Sequence, residues 1–580
     1  MAGLSVSVPI LPDGPPLLIL TAETPYYCGA DDDMIGLPAM DRRGVRWPIR
    51  PTATPVDGHS RVRRVVLRSL IVLGWAALET GNAADLTILE AVQSTVSNHP
   101  LVKAGEEDVQ VSRARKMQAS GAFDLQLDGT GTQSRTYTPL TDYEHLEALA
   151  ADIDTFSQTQ DATTLSGGAQ MLLRSGIRIE DTEQLTRLDD NLTNLGGINQ
   201  AQQSFEIILP LRRGKGREVV TAPERSAQMG VDAAVYELDE TIAGLVSATV
   251  GGYWEYVAAL RSLEIHRESE RRAVEFVDSV RTLIQADRMP ASELHQAVAN
   301  LAAQAAARIS AAQQVAQARQ NLGLAMGIGA LDALAISDAA DPFPDGSQDL
   351  AEYTSPARVR TYIEKALQLR QGYLATRKLT EAADLTRTAT RNRLLPQMDL
   401  IVTGGYSGLY SGQRPDEFLH SLFGRVGGPD LSAGLRYAFA PSNHVAFGQV
   451  AEAEANYRKS LLLSSEAARE IASAVAVALS QVEASARGLK KARESAANYE
   501  LALEGERDKL RLGVGALVDL ITVESRLTAA QLELVGAERD YAVALVSLRF
   551  ATGTLLGPDP MHPAVDRDVF YHAPPAPGGE

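Results

Sequence analysis

Two long stretches of the chain repeat apolar positions at helical spacing and contain few prolines. They run from about Arg217 to Ala286 and from about Ser442 to Leu512, and both are rich in alanine. At 1.5 Å per residue, a helix of about 70 residues is roughly 100 Å long, which is more than a compact domain needs. The pattern therefore predicts two rod-like helices.

A seven-residue period follows each rod. Most residues three positions after each large one are alanine, and small residues at such positions bring helix backbones close together. The spacing predicts return helices over 291–326 and 517–552 with left-handed coiled-coil packing, although a single stripe of this kind also suits an ordinary amphipathic helix. The large positions are Leu294, Leu301, Arg308, Val315 and Leu322 in the first copy and, displaced by one constant interval, Leu520, Leu527, Leu534, Tyr541 and Leu548 in the second.

A stretch with helical spacing of apolar residues, followed by a stretch with strand-like alternation, also occurs twice. The segment from Thr87 can be aligned with the segment from Thr361. Apolar alternation at Phe123, Leu125 and Leu127 begins the first strand region. The chain thus divides into a first repeat over 84–330, a linker over 331–354 and a second repeat over 355–556. The expected elements are opening helices at about 87–120 and 355–393, strands at 123–135 and 204–211, and strands at 397–407 and 430–439.

The loop from about Thr136 to Gln203 is much longer than its counterpart in the second repeat. It contains a hairpin-like pattern over 164–187, around Arg174-Ser175-Gly176. An even number of added strands leaves both helix ends on the same side of a membrane, so the topology is kept wherever the hairpin lies. The sequence leaves open whether this hairpin joins the other strands or stands above them.

The ends of the chain are expected to lie outside the fold. Basic residues from Arg61 precede the apolar run Leu70 to Leu78 and then small residues near Ala83, an order typical of a signal peptide over 61–83. A short buried helix or strand is the alternative. Residues 1–60 are interpreted as a non-fold extension, which either reflects a mis-assigned start or is discarded with the signal. Residues 557–580 are interpreted as a proline-rich disordered tail.

Charge and motifs exclude several classes of function. A net charge of -18 disfavours nucleic acid as a partner, and the single cysteine, Cys28, excludes a disulfide framework. No HExxH, GxSxG or Walker motif occurs, and the segment GKGREV at Gly214 lacks the last glycine of a dinucleotide loop. We therefore expect no enzyme, no catalytic residue, no cofactor and no metal site.

Two motifs carry a resemblance to the TolC family of outer membrane efflux proteins. They are LRLGVGALVDLITVESRL, from Leu510, and LPLRRGKG, from Leu209, and the resemblance extends from about Asp85 to Gly553. It implies a mainly α fold with a small β part, in which three copies form a 12-stranded β-barrel in the outer membrane and an α-helical tunnel in the periplasm. Assembly is also favoured physically, because four strands cannot close and open edges in lipid leave backbone groups unpaired.

The resemblance implies functional residues at the turn before the second return helix. Leu512, Gly513 and Val514 match the family's adaptor-contact tip. Asp519 takes the first position of the acidic ring that narrows the tunnel mouth, and Thr522 stands where a second acid is often found.

At the turn before the first return helix, only the acid of the family pattern is retained. Glu293 is equivalent to Asp519, whereas Asp287 and Arg288 replace part of the family's Leu-Gly tip. The alternative role for both acids is a structural one, because the helix dipole favours an acid in the first turn by about 0.3 to 1 kcal/mol.

The function implied is a passive exit duct of a tripartite efflux pump or a type I secretion system. Its implied partners are two further copies of the chain, a periplasmic adaptor (membrane fusion protein), an inner-membrane pump of the RND, ABC or MFS class, and outer-membrane lipid. A soluble periplasmic coiled-coil adaptor or scaffold without a pore is the alternative, although adaptors usually carry one helical hairpin and this chain has two. The sequence does not distinguish drugs, metals or proteins as cargo.

Overall fold

The computed structural model describes residues 85–192, 197–346, 354–412, 420–421, 426–512, 514–557 and 566–575. The expected extension over 1–60 and signal peptide over 61–83 lie outside these residues. Within them one order occurs twice, with two half-length helices, antiparallel strands, a long helix and a return helix. This repetition is the framework of the fold.

The elements are α1 (Ile88–Asn98), α2 (Pro100–Ser120), β1 (Gln126–Pro139), α3 (Asp142–Ala150), β2 (Ser157–Leu172), β3 (Arg178–Asp190), β4 (Ile198–Pro210), α4 (Arg217–Val220), α5 (Ala222–Gln285), α6 (Glu293–Ala325), α7 (Ala330–Ala333), α8 (Pro356–Leu369), α9 (Gln371–Arg391), β5 (Gln397–Ser411), β6 (Val426–Ala438), α10 (His444–Arg511) and α11 (Leu517–Ala551). Three 3-10 turns lie at Gly121–Phe123, Asn392–Leu394 and Arg567–Phe570. Among the described residues, no helix combines the length and the apolar character needed to cross a membrane.

The two rods are α5, with 64 residues, and α10, with 68 residues. At 1.5 Å per residue each is roughly 100 Å long. The first rod begins later than the expected Arg217, because the chain breaks at Thr221, two residues before Pro223, and proline cannot continue the hydrogen bonding of a preceding helix. Each return helix packs along its rod, and α11 also packs along α5, which joins the two repeats.

The opening helices are each interrupted once, whereas the sequence predicts them as continuous. His99 is extended because Pro100 follows it, and the residue before a proline avoids the helical conformation. Arg370 is extended without a proline nearby. There, Glu240 of α5 accepts a hydrogen bond from the Gly372 amide at 3.0 Å and pairs with Arg370. A contact made between distant segments thus sets the second break.

The interruptions also correct the alignment of the two repeats. Ser120 and Arg391 end the second half-helices and are followed by equivalent 3-10 turns and strands. The overlay that starts at Thr87 and Thr361 is therefore out of register by three residues. The return helices end at Ala325 and Ala551, which are related by the interval that their seven-residue stripes show.

The strands form one antiparallel sheet in the order β1-β2-β3-β4-β5-β6. The hairpin expected over 164–187 consists of β2 and β3, which lie between β1 and β4 and are paired with them along nearly their whole length. The described part of the chain therefore contains six strands instead of four. The expected bounds also shift: Phe123 lies in a 3-10 turn before β1, β4 starts at Ile198 and not at Ser204, and β6 starts at Val426.

The largest core lies near the middle of α5, around Trp254. Trp254 is fully buried and makes ring contacts with Tyr253, Phe343 and Tyr571. The hydroxyl of Tyr253 lies 3.0 Å from the carboxylate of Asp341, and burial raises the pKa of this phenol. This core brings together the first helix, the first rod, the linker and the C-terminal segment.

Residues 566–575 belong to the core, which corrects the expectation of a disordered tail over 557–580 for this part of it. Residues 566–575 are described, and Phe570 among them is fully buried. The Tyr362 hydroxyl donates to the carbonyl of Pro574 at 3.0 Å, and Arg567 pairs with buried Asp341. A proline-rich composition therefore does not keep this segment out of the fold.

A chain ended after Gly557 should be less stable than one ended after Pro575, because only the shorter chain loses Phe570. Emptying a buried phenylalanine site costs about 3–5 kcal/mol. Thermal unfolding of the purified protein in detergent, followed by circular dichroism, measures the difference, and Phe570→Ala should reproduce most of it. Equal midpoints for both truncated chains would show that the segment contributes nothing to the core.

Candidate functional site

The second helical turn joins α10 to α11 and exposes apolar side chains. The Val514 amide donates to the carbonyl of Lys509 at 3.0 Å, which is the six-to-one hydrogen bond of a Schellman turn. Leu512 is 78% exposed and Val514 is 76% exposed. Gly513, the expected adaptor-contact glycine, lies outside the described residues. The turn thus presents two apolar side chains to its surroundings.

The first helical turn has the same backbone form although its sequence has changed. The Arg288 amide donates to Leu283 at 2.9 Å and the Asp287 amide donates to Ile284 at 3.0 Å, again as in a Schellman turn. Asp287 has a φ of 54°, a left-handed conformation that glycine adopts most easily. Asp287 and Arg288 are both exposed, so a charged pair replaces the apolar surface of the second turn.

Each expected acid lies in the first turn of its return helix. Asp519 is exposed, and none of the described backbone amides donates a hydrogen bond to its carboxylate. Thr522 is also exposed, and its hydroxyl donates to the carbonyl of Val518 at 2.7 Å. Glu293 is half-buried at the start of α6. Asp519 is therefore an exposed acid at the start of the second return helix.

Lys509 is a charged neighbour of Asp519 that sequence reasoning missed. Its ammonium group hydrogen-bonds to Glu506 at 2.6 Å, and this bond, with the charges of Glu506 and Asp519, raises the pKa of Lys509. The signal available in the sequence was the position of the two residues: Lys509 lies in the last turn of α10, and Asp519 lies in the first turn of α11. Glu506 compensates most of this positive charge, so Lys509 and Glu506 together change the field at Asp519 little.

An apolar cluster beneath the turns holds the two helical hairpins together. Its members come from both rods and both return helices, so neither tip is built by one repeat alone. The buried members are Phe276, Val277, Val280, Ala297, Leu503, Leu517, Leu520 and Leu527.

A buried ion pair next to this cluster connects the repeats and was also missed. Arg272 of α5 donates from Nε to the carboxylate of Glu524 in α11 at 2.9 Å, and their side chains are 10% and 8% exposed. Ser269 and Thr528 make a hydrogen bond beside it at 3.2 Å. Because a buried charge needs its partner, this pair fixes how the two hairpins align.

Comparison with known proteins identifies the second repeat most clearly. Residues 362–554 match the family described as "Outer membrane efflux protein". A curated relative is the outer membrane efflux protein BepC of Brucella suis, which is 25% identical over 197 residues. That match covers 33% of this chain and 40% of BepC, so the chain matches well under two thirds of the relative's length.

Solved outer membrane proteins share the fold over most of the chain. The Campylobacter jejuni CmeC channel aligns with a TM-score of 0.58 at 14% identity, covering 87% of this chain and 94% of CmeC. Vibrio cholerae VceC aligns with a TM-score of 0.57 at 14% identity, covering 80% of this chain and 96% of VceC. The expected fold class is confirmed: long paired helices are joined to an antiparallel sheet. At these identities the likeness establishes the fold alone.

Asp287→Gly should stabilise the first turn, because glycine adopts the left-handed conformation without strain. We expect slower hydrogen exchange of the Arg288 amide, by an amount corresponding to at most about 1 kcal/mol. Asp278→Gly, inside α5, is the matched control and should have the opposite sign, since glycine destabilises a helix interior by about 1 kcal/mol. Faster exchange in Asp287→Gly would contradict the assigned turn.

Glu524→Ala should strongly destabilise the junction of the two hairpins. It leaves Arg272 buried without its main partner, which costs about 3–5 kcal/mol. Replacing both residues, as Arg272→Met with Glu524→Leu, should restore much of the lost thermal stability because no unpaired charge remains. If the double variant is less stable than Glu524→Ala, the charge pair is not the cause.

Proposed function

We propose that this chain, which belongs to the outer membrane efflux protein family through residues 362–554, is the protomer of a passive outer-membrane exit duct. Copies of the chain close one shared barrel, and their helices continue it as a tunnel in the periplasm. The duct catalyses no reaction and conducts solutes or proteins that a pump delivers.

The observation that carries this proposal is an open sheet with two exposed edges, joined directly to long helical rods. Every described residue of β1 is exposed, and so is nearly every residue of β6. In lipid, unpaired backbone groups along such edges cost several kcal/mol each. Pairing β1 of one copy with β6 of the next satisfies them.

The two faces of the sheet differ as a barrel wall requires. In β4 to β6 one face is apolar and the other carries mainly serine, threonine, glutamine and charged residues, which suits lipid outside and water inside. The register places the apolar residues in rows across the strands, namely Leu209, Leu400 and Leu435, then Ile207, Val402 and Ala433, then Phe205, Gly404 and Leu431.

The length of the apolar face also fits a bilayer. The strands have 13 to 16 residues, and tilted strands of about 9–11 residues span the hydrocarbon core. Tyr437 lies on this face at the helix-proximal end, while Tyr406 and Tyr410 lie on it toward the other end. Aromatic residues in these places match the girdles at the two membrane interfaces.

The helical turns support the assignment of partners. The exposed pair Leu512 and Val514 suits contact with the helical hairpin of a periplasmic adaptor, and the adaptor in turn docks an inner-membrane pump of the RND, ABC or MFS class. The charged Asp287 and Arg288 give the first turn a different surface, so the two turns bind different faces of the adaptor. Three copies are taken from the family resemblance.

The mouth of the tunnel is assigned to Asp519, with Glu293 at the equivalent place in the first repeat. Three copies place three Asp519 carboxylates around one opening, which attracts cations. Thr522 adds no charge, and Lys509 is paired with Glu506, so Asp519 alone supplies one charge per copy. The gate is therefore only weakly selective.

A soluble adaptor or scaffold is disfavoured by the exposed apolar face. Leu431 is 84% exposed, Leu435 60% and Phe205 44%, and all three lie on one side of the sheet. Contiguous apolar surface of this kind marks an interaction with lipid or protein.

Membrane fractionation separates the two functions. The duct should be found in outer-membrane detergent extracts as an oligomer that SDS dissociates only after heating. A freely soluble protein in the periplasmic fraction would exclude the duct and favour the scaffold.

Asp519→Asn should lower the preference for cations over anions in planar bilayers. The expected change is modest, on the order of twofold, because one charge per copy is removed. Glu466→Gln, in α10 and paired with Arg469, removes a charge far along the chain from the turn and is the matched control. Equal cation selectivity in both variants would show that Asp519 is not part of the gate.

A further inference from the structure

The added hairpin, β2 with β3, separates two strands that would otherwise be neighbours. β1 pairs with β2, β2 with β3, and β3 with β4. The pairings extend from Gln126 at one end of β1 to Pro139 at the other. The hairpin is therefore a full-length part of the wall.

The turn of this hairpin is held at the junction between the sheet and the helices. Arg174 makes two hydrogen bonds to Glu224 of α5, at 2.8 and 3.1 Å, and its guanidinium lies 4.7 Å from the ring centre of Phe123. The Gly216 amide donates to the carbonyl of Ser175 at 3.2 Å. A hairpin standing above the membrane could not make these contacts.

Close packing at Gly176 supports the same position. Its φ is 96°, and a Cβ atom there would lie 2.3 Å from the carbonyl oxygen of Gly214, just after β4. Only glycine fits this approach. The β2–β3 turn thus packs against the segment where the chain leaves the sheet for α4.

The apolar face continues across β2 and in part across β3. In β2 it carries Met171, Ala169 and Leu165, and in β3 it carries Ile179 and Leu185. The opposite face of β2 carries polar residues such as Thr164, Ser166 and Gln170.

Charged residues of β3 interrupt the apolar face, namely Asp181 and Glu183 between Ile179 and Leu185, and Arg187 and Asp189 beyond Leu185. Asp181 lies opposite Phe205, and Glu183 lies opposite Gln203, whose amide donates to it at 3.3 Å. Charged side chains on a lipid-facing surface destabilise a barrel in a depth-dependent way. They provide a direct test of where β3 lies.

Six strands are too few to close, since the smallest membrane barrels have eight. The two edges match in length, with 14 residues in β1 and 13 in β6. They can therefore pair with the edges of neighbouring copies along their whole length.

We propose that three copies of this chain close an 18-stranded barrel, not the 12-stranded one implied by the family resemblance. This inference rests on the proposed duct and its three copies. Because barrel diameter grows roughly linearly with strand number, the pore is about half again as wide and roughly twice as large in cross-section. The barrel wall then admits bulkier cargo than four strands per copy allow.

Disulfide cross-linking in isolated outer membranes tests the strand order in a Cys28→Ser background. The pairs Glu183→Cys with Gln203→Cys, and Gly129→Cys with Gly167→Cys, place cysteines on directly opposing residues. Opposing residues lie within the Cα separation that a disulfide needs. We expect both pairs to oxidise efficiently and to change the mobility of the unreduced chain.

The matched control is Gly129→Cys with Gln203→Cys. These residues share one row but lie three strand spacings apart, roughly 14 Å, so they should not cross-link. Cross-linking of this pair, with none in the other two, would show that β1 meets β4 directly and would overturn the 18-stranded wall while leaving the duct intact. Absence of the protein from the outer membrane would instead overturn the duct itself.

A second measurement uses the two acids. Asp181→Leu with Glu183→Leu should raise the temperature at which the oligomer dissociates in detergent by several degrees, because two charges between Ile179 and Leu185 are removed from the outward face. Glu180→Leu with Thr182→Leu alters the opposite face of the same strand and should not raise it. A rise in the control alone, or in neither variant, would contradict the placement of β3 in the lipid-facing wall.

Discussion

The backbone hydrogen bonds of two edge strands constrain the whole architecture. β1 and β6 have accessible edges, on a sheet with one apolar face across β4 to β6. In water such edges promote association, and in lipid they must be paired. The rods α5 and α10 continue the chain after β4 and β6, so in the proposed duct closure of the sheet also arranges the helices around one axis. In that proposal, assembly and the tunnel follow from one requirement.

The two helical turns share a backbone hydrogen bond although their sequences differ. Both turns contain the six-to-one hydrogen bond of a Schellman turn, although Asp287 stands where the second turn has a glycine in the sequence. The apolar cluster beneath them and the Arg272–Glu524 pair hold the hairpins in one alignment. The two repeats therefore share the form of the helical hairpins, whereas the exposed surfaces of the two turns differ.

The sequence predicts the helices well where a period is repeated over many residues. The stripes of the return helices, such as Leu322 and Leu548, are buried as their spacing requires. The sequence does not predict features that depend on contacts between distant segments. Glu240 sets the break at Arg370, and Arg174 holds the added hairpin at the base of the sheet. Pro100 at the start of α2 was a local signal for the break at His99. The burial of Phe570 had no such signal, because a short apolar segment in a proline-rich tail gives no period.

Closure between copies is the central claim, and inter-protomer disulfides test it most directly. In a Cys28→Ser background, Thr132→Cys in β1 is combined in turn with a cysteine at each position from 428 to 434 in β6, and outer membranes are oxidised and run unreduced. If the edges pair between copies, at least one register gives a covalent ladder that ends at the trimer. Monomer alone at every register, in protein that is present in the outer membrane, would contradict the account.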